Sequence, residues 1–144
     1  MTIFLDVTAL AEVRRLPNSE AIVGKLLDGL NAGSIVVVPE VHLGVIEHDD
    51  RIHRIIDGAA PNCKMADGSR DAEAVGILEQ FGGAWNFDDA MDTSIFFVLA
   101  SAGDYDPPRI LVTALGSPMR EALEETCQQL HIQHRPLAML PSML

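Results

Sequence analysis

Thr2-Ile3-Phe4-Leu5-Asp6 is a short apolar run closed by an acid, and two later stretches share its character: Ser34-Ile35-Val36-Val37-Val38 and Arg109-Ile110-Leu111-Val112-Thr113. None of the three alternates polar with apolar residues as a half-exposed strand does. Continuous aliphatic and β-branched runs of this length suit strands covered on both faces, the condition of a parallel sheet. The pattern predicts that the Asp6 strand is central, that the Ile35 and Ile110 runs are its neighbours, and that the Ile35 run lies inside the sheet.

The stretches between these runs read as helices. Leu10 and Val13 belong to one that Pro17 stops. Asn18 or Ser19 caps the next, in which Ile22, Val23, Leu26, Leu27 and Leu30 recur at helical spacing until Gly33. From Pro39 to Gly58, helical spacing links Val41, Val45, Ile52, Ile55 and Ile56, with Glu47, His48, Asp49, Asp50 and Arg51 along a solvated side. Residues 61–68 read as a loop. Ser69 caps a helix through Ala74, Ile77, Leu78 and Phe81, and another runs from near Asp88 through Met91, Ile95, Val98 and Ala102. Ser117, with Pro118 at the first helical position, opens a helix carrying Leu123, Cys127 and Leu130, and His131-Ile132-Gln133 reads as a last strand. Strands alternating with helix-length crossovers predict an α/β fold, a three-layer sandwich around a mostly parallel sheet of four or five strands.

A length of 144 residues fits one domain spanning 1–144. Aromatic residues are only 5% of the chain, too few for a stacking platform of the RRM type. Ten Lys and Arg against 21 Asp and Glu give a net charge of −11, the wrong sign for holding nucleic acid by bulk charge. An acidic metal site acting on a nucleic acid remains open. Cys63 and Cys127 form no CxxC pair, the first residues carry no basic leader, and the longest near-apolar run, 94–103, is about half a membrane span. These features lead us to expect a soluble, cytoplasmic protein with no membrane partner. The phosphate-loop, dinucleotide, nucleophile-elbow and HExxH signatures are all missing from the sequence.

In parallel α/β sheets, reactive groups sit just beyond the carboxyl ends of the strands. Asp6 with Thr8, Glu40, and Thr113 with Ser117 occupy those positions. Each also has a structural reading: Asp6 as a helix cap, Glu40 as a first-turn acid favoured by the helix dipole, Thr113 and Ser117 as turn and cap residues. His48 and His53 are five apart and do not share a helical face. His131 and His134, three apart near a strand, point to opposite faces.

Ile3-Phe4-Leu5-Asp6-Val7-Thr8-Ala9-Leu10, the stretch from Asp92 through Ala102 to Gly103, and Ile110-Leu111-Val112-Thr113 together resemble a PIN domain. This family of small metal-dependent ribonuclease-like proteins includes the toxins of many toxin–antitoxin pairs. The resemblance implies an Mg²⁺- or Mn²⁺-dependent endoribonuclease acting on RNA, with an antitoxin or other protein partner. It implies Asp6 and Asp92 as metal ligands, Glu40 or Glu47 as a displaced third, Thr8 orienting a ligand or the attacking water, and Thr113 and Ser117 near the substrate. The sequence departs from the family where acids are expected, at Gly44 and at Ala114 or Leu115. Those departures raise an alternative, a PIN-like scaffold without turnover that serves as an interaction or assembly module. The apolar, methionine-rich tail 136–144 either docks on its own domain or covers a neighbour, which would make a homodimer.

Overall fold

The computed structural model describes residues 1–46, 48–59, 71–81 and 93–144. Four strands form one wholly parallel sheet: β1 (Thr2–Leu5), β2 (Ile35–Val36), β3 (Arg109–Thr113) and β4 (Gln133–Pro136), in the spatial order β2-β1-β3-β4. Ile3 and Phe4 of β1 pair with Ile35 and Val36, and Thr2 through Leu5 pair with Arg109 through Val112. The Asp6 strand is thus interior, flanked by the two predicted neighbours. Ile3, Phe4, Leu5, Ile110, Leu111 and Val112 are all buried, as a strand covered on both faces requires.

Two strand expectations need correction. The Ile35 run forms an edge strand of this sheet and holds only two ladder residues, although Val37 and Val38 beyond it are buried. Burial there comes from packing against the core cluster, so an apolar run did not require a strand on either side. The last strand is Gln133–Pro136, not 131–133. His131 takes a left-handed conformation (φ 58°) and is exposed, which turns the chain before β4 begins.

The crossovers are helical. β1 leads into α1 (Val7–Glu12), a 3-10 turn (Val13–Arg15) and α2 (Ser19–Ala32), which Gly33 ends at φ 80°. Asn18, one of the two predicted caps, holds the N-cap position of α2, but in a left-handed conformation and without a side-chain cap bond. The predicted continuous helix over 39–58 is two, α3 (Pro39–Val45) and α4 (Asp50–Asp57). Asp49 causes the break: its carboxylate accepts from the Arg51 and Ile52 backbone N–H groups and caps α4, and Arg14 pairs with it at 3.0 Å.

After α5 (Asp71–Phe81) comes α6 (Ile95–Ala102), apolar all round and buried at six of its eight positions, packed against β1, α3 and α5. α7 (Met119–Gln129) joins β3 to β4, and its N-cap is Pro118, one residue later than the predicted Ser117 cap. The chain closes with a 3-10 turn (Leu137–Met139) and α8 (Leu140–Met143). The predicted loop 61–68, the Ser69 cap and the start of the Asp88 helix lie outside the described residues. Among the described residues no helix is long and apolar enough to cross a membrane.

A candidate site at the carboxyl edge of the sheet

The strand order places a switch point between β1 and β3: the chain leaves β1 to build β2 on one side, then returns to add β3 and β4 on the other. A crevice outside the carboxyl ends of such a strand pair is where open α/β sheets place ligands. Asp6 follows β1 there and Ala114 follows β3, and Thr8 joins them. The Thr8 hydroxyl donates to the Asp6 carboxylate, 2.8 Å from each oxygen, and accepts from the Ala114 backbone N–H at 2.9 Å. Asp6 Oδ1 also accepts from Ala9 N–H at 2.9 Å, which makes Asp6 the N-cap of α1. Asp6 is only 3% exposed. The two readings of Asp6 therefore coexist: the bonds that cap the helix also fix the carboxylate's orientation.

Thr113, the last residue of β3, is buried, and its hydroxyl faces His134 with Oγ1 2.7 Å from Nε2. The other ring nitrogen, Nδ1, lies 3.5 Å from Glu124 Oε1 on α7. A carboxylate only accepts, so Glu124 favours the proton on Nδ1 and leaves Nε2 to accept from Thr113. Burial lowers the His134 pKa, with Glu124 opposing that shift. The sequence weighs His134 only beside His131 and does not single out Glu124, because only the β3–β4 pairing brings a residue 21 positions away onto Thr113.

The other candidates are placed differently. Ser117 is exposed and its hydroxyl donates to the Glu121 carboxylate, a bond that lowers the Glu121 pKa. Glu40 sits partly buried in the first turn of α3. Gly44 lies within α3, and Leu115 packs against the core, so neither those positions nor Ala114 brings a carboxylate to the crevice. Asp92 and Glu47 lie outside the described residues. Cys127 is an ordinary core residue: burial pushes its thiol up to about 12.

A divalent cation beside Asp6 would meet a carboxylate held by the Thr8 hydroxyl and the Ala9 N–H. Mg²⁺ is commonly held by one or two carboxylates with several retained waters, so the Asp6 donor set fits it in part. A fuller ligand set stands elsewhere. His42 on α3 and His53 and Asp57 on α4 bring three ligand atoms within 4.8 Å of one another, a group able to hold a metal ion. Its signal in the sequence was the pair His53 and Asp57, four apart on one helical face. Compared with known protein families, with curated proteins and with solved structures, the chain matches none.

Proposed function

We propose that the chain is a PIN-like, Mg²⁺- or Mn²⁺-dependent endoribonuclease whose chemistry is centred on Asp6. The observation that carries this reading is a buried carboxylate, oriented by the Thr8 hydroxyl and the Ala9 N–H, at the carboxyl end of an interior strand and beside the switch point of a parallel sheet. A bound divalent ion would supply an activated water and offset charge on the phosphodiester. Asp6 holds its oxygens in place through Thr8 and Ala9 N–H, and Thr8 transmits the position of the β3 end through Ala114 N–H. Asp92 is the proposed second ligand and Glu40 or Glu47 the third. The acidic surface makes substrate approach depend on the cation.

The test is cleavage of single-stranded RNA by the purified chain with Mn²⁺ or Mg²⁺, beside Asp6→Asn. Asparagine keeps an oxygen to accept from Ala9 N–H, so the cap and the fold persist. Cleavage by the wild type should fall by about 10²-fold or more in the variant, the size of effect expected for a group acting directly in catalysis. Equal cleavage by both would place the chemistry elsewhere.

A second reading has its own support. Ala114 and Leu115 leave the β3 end of the crevice without an acid, and the Ala114 N–H is spent on Thr8. On this reading the domain is a PIN-like interaction module without turnover. The exposed Leu43 and Ile46, on and just after α3, would then meet an antitoxin, another protein or a second copy. Absence of cleavage by the wild type under every divalent ion would favour it.

A further inference from the structure

We propose that His42, His53 and Asp57 form a second metal site, separate from Asp6, selective for a borderline divalent ion of the Zn²⁺ class, which ties α3 to α4. The two helices are separate elements, and the site spans the break between them. His53 and Asp57 stand one above the other on α4. His42 reaches across from α3, its Nε2 3.2 Å from Asp57 Oδ1 and 3.3 Å from the His53 carbonyl oxygen.

The donor set decides the kind of ion. Two imidazoles and one carboxylate match Zn²⁺, Co²⁺ or Ni²⁺, whereas Mg²⁺ and Ca²⁺ take oxygen donors and gain little from neutral nitrogen. Three protein ligands leave a position for water, and Asp57, 58% exposed, opens the site to solvent. The His42 side chain is 14% exposed, so one wall of the site is shielded while the other admits the ion. The chain's net charge of −11 raises the local concentration of any cation.

The imidazoles stack with centroids 4.3 Å apart and planes 19° from parallel. Lone pairs of stacked rings lie in nearly parallel planes, while a tetrahedral ion at about 2.0–2.1 Å from each nitrogen needs both lone pairs to converge. Loading therefore turns one ring out of the stack. It also replaces the proton that His42 Nε2 directs at Asp57, since a nitrogen donating a hydrogen bond cannot ligate.

The experiment uses the full chain freed of metal with a chelator, titrated with Zn²⁺, Co²⁺ or Mg²⁺ alone and followed by calorimetry and thermal melting. Zn²⁺ should bind with one equivalent that depends on Asp57, and raise Tm by on the order of 10 °C at a hundredfold excess over Kd. Co²⁺ should give the visible bands of a four-coordinate site with nitrogen ligands, and excess Mg²⁺ should displace neither. Asp57→Asn and His53→Gln should each weaken Zn²⁺ at least about 100-fold, more than the loss of an outer-shell partner brings. Asp57 is exposed, so its variant reports on the site without threatening the fold. Asp6→Asn should leave Zn²⁺ binding unchanged, which separates this site from the Asp6 reading. Failure of Zn²⁺ to bind, binding undiminished in Asp57→Asn, or ready displacement by Mg²⁺ would each overturn the proposal.

Discussion

A histidine with 5% of its side chain exposed and a carboxylate at 3.5 Å is subject to two opposing effects, and for His134 burial is the larger. Its pKa is lowered below the ordinary 6.5, so in the acid window the unfolded chain binds a proton that the folded chain refuses. The sign follows: the stabilising contribution is complete above the ordinary imidazole pKa and is lost as pH falls from there through the lowered value. Denaturant unfolding measured across a pH series should show that loss in the wild type and a flatter acid limb in His134→Gln. Parallel profiles for the two would mean that His134 titrates alike in both states. Little of this was legible beforehand. Asp6 announces itself as an acid ending an apolar run, whereas the Thr113–His134–Glu124 contacts arise from strand pairing and the packing of α7, and no short-range pattern encodes them.

Elements were read best where one physical signal decides them. The aliphatic runs gave β1 and β3, and the periodicity of Ile22, Leu26 and Leu30 gave α2 with its Gly33 stop. Apolar spacing misleads where a side chain competes with the backbone. Asp49 splits 39–58 into two helices although apolar spacing continues through it, and that split is what lets His42 face His53 and Asp57. Arg109 shows the same kind of long-range work. Its guanidinium donates to the Ala102 carbonyl at the end of α6 and to the Leu130 and His131 carbonyls after α7, a cation placed at two helix C-termini. The docking of α2 on β2 depends on a residue with no side chain. A Cβ at Gly29 would strike the buried Ile35 side chain and force it to shift, while the Gly29 carbonyl accepts from Ser34 N–H at 3.0 Å. Gly29→Ala should gain up to about 1 kcal/mol of helix propensity. It should also lose about 1–3 kcal/mol by overpacking. The expected net result is a lower urea midpoint, and an unchanged or raised midpoint would show that Ile35 repacks freely.

At the scale of the whole molecule, the tail resolves a choice that composition left open. Residues 136–144 could have docked at home or covered a neighbour; the chain places Leu137 and Leu140 in its own core, with Met143 and Leu144 packed partly against it. This follows from topology, since β4 ends beside β3 and the chain can reach the core directly as it leaves the sheet. Leu140 is wholly buried, so Leu140→Ala removes apolar contact and leaves a cavity, at a cost of about 2–5 kcal/mol. Native stabilities are of order 5–15 kcal/mol, so that single change should lower the urea midpoint substantially at unchanged m. Truncation after Pro136 should go further and abolish cooperative unfolding, because it uncovers the core without supplying a partner. A truncated chain that stayed folded, with its original melting temperature and circular dichroism, would return the tail to the role of an interaction surface. Loss of the fold would assign it to the core and leave any self-association to other exposed residues such as Leu43 and Ile46.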